Sequence, residues 1–165
     1  MARLDEAAFS AFYASNARGL WAYVYRVTGH SADADDIVQE AFLRLLRSGP
    51  ETRDEQPLRR FLFRVASNLI VDRWRSRSRD ERVDAAAASR VSVLPRQADD
   101  DLARTFGELS GRDRALLWLA YVEGESHEQI AEALGLGKTS IKVLLFRAKR
   151  KLRDLLHAKG LARSS

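Results

Sequence analysis

Lys138, Lys142, Arg147, Lys149, Arg150, Lys151 and Arg153 lie in one run near the C-terminus, with no acid between the first and the last. Cations this dense suit a polyanion: phosphates first, and base edges where a side chain reaches a groove floor. A merely solvated helix would normally mix both signs. In the same segment Ile141, Leu144, Leu145, Ala148, Leu152 and Leu155 recur at helical spacing. A buried stripe therefore backs the basic face, as a groove-entering helix requires. The segment before it is marked equally clearly. Ser126 and Gln129 have capping-box spacing, in which the hydroxyl takes one orphan amide and the carboxamide reaches back to another. Ile130, Ala131 and Leu134 share one face, and Gly135 supplies a left-handed stop. The two segments together predict a helix-turn-helix.

A second group has the opposite sign. Asp35, Asp36, Gln39 and Glu40 fall on one side of a helix predicted over Asp33 to Arg47, opposite a stripe of Ile37, Ala41 and Leu45. In a chain of net charge +5, an acidic helical face is a reasonable docking surface for a basic protein. Ser31 to Asp36 superficially suggests a calcium loop. The mid-loop glycine is missing, however, and Arg44 stands where a bidentate glutamate belongs. His30, His127 and His157 are far apart, and there is no cysteine, so neither a metal site nor a thiol switch is expected. Asp36 and Glu40 lie one turn apart without a pocket signature, and no phosphate loop or nucleophile motif is present. No cofactor and no enzymatic activity are expected.

The elements that must position these groups read as helices throughout. Phe9, Phe12, Tyr13, Leu20, Val24 and Val27 form a first apolar stripe that ends near Gly29. After the second helix, Ser48 to Gln56 reads as a polar loop, and Pro57 suits a first helical position. Leu58, Phe61, Leu62, Val65, Ala66, Leu69 and Ile70 then repeat at three and four, with Arg59, Arg60, Arg64, Arg73, Arg75, Arg77 and Arg79 on the other faces. Periodicity fades from about Asp80 to Ala98 and resumes at Asp99 with Leu102, Phe106 and a Ser110-to-Asp113 cap. The expected fold is all-α: two small helical domains, 1–80 and 99–165, joined by a flexible linker, 81–98. The N-terminus lacks a signal-peptide pattern and no stretch is long enough to span a bilayer, which points to a cytoplasmic protein.

Three segments in this order resemble bacterial extracytoplasmic-function sigma factors. Ala32 to Leu45 is similar to that family's core-polymerase-binding segment, Phe61 to Arg75 to the helix that reads and melts the −10 promoter element, and Tyr121 to Leu152 to the −35-reading helix-turn-helix. The resemblance implies a sigma factor that binds RNA polymerase core and directs transcription initiation at promoters, without catalysis. By position, Asp35, Asp36, Gln39 and Glu40 would meet the coiled coil of the polymerase β′ subunit. Asn68, with the loop before Pro57, would hold an unstacked −10 base. Arg64 belongs to the same −10 set, and Arg73, Arg75 and Arg77 would follow the backbone. At −35 the resemblance implies Lys138, Thr139, Lys142, Val143, Phe146, Arg147, Lys149 and Lys151. A cognate anti-sigma factor is also implied. Departures fall at Gly137, Thr139-Ser140 and Val143-Leu144, where the family usually has a Ser cap, Gly-Thr and Ser-Arg. They bear on which −35 sequence is preferred, since glycine is an acceptable N-cap.

The rival reading is a stand-alone helix-turn-helix repressor or activator, with residues 1–80 as a dimerisation or effector domain. It would bind an operator without polymerase. An adaptor that touches no DNA has no use for the unbroken basic face.

Overall fold

The computed structural model describes residues 4–80 and 100–160. Among them every regular element is helical. The linker expected over 81–98 lies outside the described residues.

The N-terminal unit is a three-helix assembly. Helix α1 (Glu6–Thr28) starts where the Asp5 carboxylate accepts from the Ala8 amide at 2.7 Å, and stops at Gly29, whose φ of 77° is left-handed. An acid at this end also meets the positive pole of the helix dipole. Helix α2 (Ser31–Ser48) buries Ala34, Ile37, Val38, Ala41, Phe42 and Leu45. Helix α3 (Glu55–Asp80) buries Leu58, Leu62, Phe63, Val65, Ala66 and Ile70. Pro57 is thus the third helical residue rather than the first. The helix begins two residues earlier than expected, and a missing N–H still costs nothing within the first turn.

The C-terminal unit holds α4 (Asp100–Gly107), α5 (Gly111–Leu117), α6 (His127–Leu134) and α7 (Ile141–Ala158). The Ser110 hydroxyl accepts from the Asp113 amide at 3.1 Å, as the cap predicted. A π-turn, Trp118–Val122, follows α5, and a 3₁₀ turn, Lys138–Ser140, leads into α7. Ser126 and Gln129 form the expected reciprocal cap at 3.1 and 2.8 Å, and Gly135 ends α6 with φ 65°.

The two units do not stand apart. α1 packs on α5, and α3 packs on α6. One apolar core runs from Leu20, Val24 and Leu62 through Leu116 and Leu119 to Ile130 and Ile141. Two marginal cores thereby merge into one, which hides more apolar surface than either could alone.

Candidate functional site

The recognition helix presents the surface that its sequence predicts. Ile141, Leu145 and Ala148 are buried, and Leu152 and Leu155 pack against a smaller cluster of Leu109, Leu117 and Ala148. At about 100° per residue, Val143, Phe146 and Arg150 point away from that stripe, and Arg147 lies on one edge of the same ridge. Phe146 is 65% exposed and Val143 48%, unusual for large apolar side chains with no protein neighbour to cover them. Lys142 and Arg153 flank this ridge and are exposed. Thr139 is exposed in the 3₁₀ turn just before the helix.

The remaining expected −35 residues sit elsewhere. Lys149 lies beside the buried stripe, with its ammonium 5.5 Å from the Tyr121 ring centre. Lys151 flanks the other side, 4.0 Å from the Asp113 carboxylate, and Lys138 is 3.6 Å from Glu128. Arg150, left out of the sequence-based −35 set, is better aimed than Lys149 or Lys151. Helical phase alone could have identified it.

Helix α3 carries the −10 candidates on several faces. Asn68 is exposed. Arg64 is paired with Glu132 of α6 at 2.9 Å. Arg73 and Arg77 converge on one carboxylate: Asp33, buried at the start of α2, accepts from them at 2.6 and 2.5 Å. Arg75 reaches the helix-turn-helix, its guanidinium 3.6 Å from where a β-carbon on Gly135 would stand. The five residues therefore do not form one open face. Two are anchored to α2 and two lie against the C-terminal unit.

The acidic set of α2 divides as well. Asp35 accepts from the Trp21 indole N–H at 2.8 Å and, with Gln39, rims a groove between α1 and α2. The groove floor is apolar: Tyr13, Phe42, Leu43 and Leu46 line it, and Tyr13 and Leu46 are each nearly half exposed. Asp36 faces α3, 3.9 Å from Arg73, and Glu40 is bonded to Arg44 at 3.1 Å. The acids are legible in the sequence; the aromatic and leucine floor beside them is not, and Tyr13, which its spacing places on the core stripe of α1, stands nearly half exposed.

Comparison with known proteins decides the class. Residues 12–80 match the sigma-70 region 2 model, and residues 99–152 match sigma-70 region 4. The extracytoplasmic-function sigma factor SigL of Mycobacterium tuberculosis is 34% identical over 173 residues, covering 98% of this chain and 96% of its own. The chain belongs to the extracytoplasmic-function RNA polymerase sigma factors. SigW of Bacillus subtilis, another member, is 27% identical over 80% of each chain. Among solved structures, the sigma factor RpoE of Bartonella quintana, in complex with the anti-sigma factor NepR, shares the fold at a TM-score of 0.73. It is 24% identical, over 90% of this chain and 96% of that one. CnrH in complex with the cytosolic domain of CnrY gives 0.61 and 26% identity, covering 93% and 90%. As a sigma factor, this protein directs transcription initiation at specific promoters, and the comparisons give no support to a stand-alone repressor. Among the described residues, no helix is long and apolar enough to cross a membrane.

Proposed function

We propose that this sigma factor docks on the β′ coiled coil of core polymerase through the α1–α2 groove, reads the −10 element with α3 and reads the −35 element with α7. The observation that carries the docking assignment is the pairing of an apolar floor, Tyr13, Phe42, Leu43 and Leu46, with Asp35 and Gln39 at its rim, while Asp36 and Glu40 extend the acidic surface along α2 beyond the groove. A basic amphipathic helix satisfies both features at once: apolar side chains on the floor, cations at the rim. Asn68 pairs with the edge of an unstacked −10 base, and Arg64, Arg73, Arg75 and Arg77 serve the backbone around it. Lys142, Val143, Phe146 and Arg147 enter the −35 groove. Thr139 and the flanking Lys138, Lys149 and Lys151 lie nearer to phosphates. The functional division follows as 1–80 for core and −10 binding, 81–98 as linker and 99–165 for −35 binding.

On this reading the protein performs no catalysis of its own and works in the cytoplasm, where polymerase and promoter DNA are. An anti-sigma factor is a further expected partner, by analogy with the Bartonella quintana sigma factor that was solved bound to one. Competition for core tests the docking surface. An Asp36→Lys/Glu40→Lys chain that stays helical should lose roughly 2–5 kcal/mol of core affinity, the range for close interfacial charge pairs. A variant that competes as well as the unaltered chain would remove α2 from the interface.

A further inference from the structure

Eight large apolar side chains are exposed among the described residues, and six of them share a groove with others. Tyr13, Leu43 and Leu46 line the α1–α2 groove, and Leu102, Tyr121 and Val122 line a second apolar groove beside α4. Val143 and Phe146 stand differently. They project one turn apart from the convex outer face of α7, among cations: Lys142 precedes the pair, Arg147 follows it, and Arg150 continues the same ridge. A groove takes a convex apolar partner, whereas a ridge needs a concave one. A helix with its side chains is roughly 10–12 Å across, close to the width of about 12 Å of the B-DNA major groove.

The floor of that groove is mostly polar. Guanine offers N7 and O6, adenine N7 and the N6 amine, and cytosine its N4 amine; only thymine adds an apolar group, the C5-methyl. Neither valine nor phenylalanine can replace the hydrogen bonds that water makes to a base edge. Pressed on a donor or an acceptor, they leave it unsatisfied. Pressed on a methyl, they bury apolar surface instead. Val143 and Phe146 are about 4.5 Å apart along the helix axis, against a base-pair rise of about 3.4 Å, so the two fall on neighbouring base pairs. Both lie in the first two turns of α7, the part of a recognition helix that meets base edges. Val143 is also where this chain departs from its family. Leu144 beside it packs against the core, so the valine alone of that pair faces outward.

We propose that Val143 and Phe146 read thymine C5-methyl groups, so that the −35 element of this sigma factor carries A·T pairs at the two neighbouring steps that face them. Preference at these steps comes from methyl contact rather than from hydrogen bonding. Lys142, Arg147 and Arg150 hold the ridge in place through phosphates and polar base edges on either side. The same contact accepts 5-methylcytosine, which presents a methyl at the same ring position, and disfavours unmethylated cytosine. The inference rests on the proposed −35 role of α7 and specifies its chemistry.

Transcription by the chain with core polymerase at subsaturating concentration, from a promoter that it uses, tests this with templates altered by one methyl at a time. Deoxyuridine in place of a single −35 thymine removes the methyl and keeps the pairing. At the two facing steps the loss should be about fourfold, the order expected for one buried methyl. Deoxyuridine in the spacer between the two elements should change nothing. At a facing step, 5-methylcytosine should give about fourfold more transcript than cytosine. Val143→Ser should erase the deoxyuridine effect at one step and Phe146→Ala at the other, each leaving its neighbour's effect intact. Both side chains are exposed, so neither change disturbs the core. A −35 element without A·T pairs at neighbouring steps, tolerance of deoxyuridine at every −35 thymine, or an effect that survives both substitutions overturns the inference. Scrambling the whole −35 element, run in parallel, reports on the −35 role of α7 itself. If transcript falls with scrambling but not with deoxyuridine, that role stands and methyl reading is wrong; if neither lowers it, both fall.

Discussion

Asp33 and Arg73 are bonded at 2.6 Å across forty residues of sequence, tying the start of the helix proposed to dock on polymerase to the helix proposed to hold the −10 element. Arg77 completes the clamp on the second carboxylate oxygen at 2.5 Å. A buried acid that serves two arginines costs more to lose than it contributes as a pair, because its removal strands both partners.

Asp33→Asn should therefore destabilise the N-terminal unit by about 1–3 kcal/mol, the range for leaving a polar group without its buried partner. The lower half is expected because both arginines are more than a third exposed and screened by water. Urea unfolding followed by helical signal is the check, and an unchanged midpoint would show that the clamp contributes nothing.

Glu125 gives a pH-dependent prediction. Burial is the largest influence on its carboxyl and raises its pKa, with Glu123 adding to the rise and Arg60 and Arg59 opposing it. A carboxyl with a raised folded pKa is penalised once ionised, so its contribution improves as pH falls through the folded value. Glu125→Gln should be more stable than the unaltered chain at neutral pH, and the difference should vanish in acid. Denaturation at two pH values measures this, and a variant destabilised at neutral pH would mean that the Arg60 pairing outweighs burial.

Much of the fold was legible in the sequence because its signals are local. The Ser126–Gln129 box, the Gly29 and Gly135 stops and the Ile141–Leu155 stripe each act within a few residues, and each appears where expected. What escaped depends on partners far away in sequence. Arg114 reads as a surface cation, yet it is buried, braced on the Val27, Gly107 and Leu109 carbonyls. Nothing within four residues of Glu123 announces Arg59, 64 positions earlier. The π-turn has no distinctive composition, and the packing of the two units on one another, on which the sequence is silent, involves these long-range pairs. The acidic set of α2 was found, but its division between groove and α3 depends on where α1 and α3 cross it.

Asn68 is exposed on α3, one turn from Arg64, whose guanidinium is engaged by Glu132. Asn68→Ala should leave core binding unchanged, slow open-complex formation and alter the preferred base at one −10 position. Selection from a randomised −10 library reads this directly. An identical consensus from both proteins would remove Asn68 from base recognition.

Arg147 and Lys151 should separate reading from positioning. Arg147 projects from the exposed ridge with Phe146, whereas Lys151 turns back toward Asp113. Arg147→Ala should cost about 1–3 kcal/mol at a preferred −35 site and little at a scrambled one. Lys151→Ala should weaken both alike, with a salt slope shallower by about one charge. Equal losses on the two templates for Arg147→Ala would mean that it does not read bases.

This sigma factor brings core polymerase to promoters, and we propose that it does so through elements read by α3 and α7. Run-off transcription from genomic DNA, with core polymerase alone and with the chain added, followed by sequencing of the 5′ ends, tests it most directly. New starts should appear only with both components present and should share a −10 and a −35 motif at fixed spacing. Starts without a shared motif, or tight sequence-specific duplex binding by the chain alone with no effect on core, would contradict it.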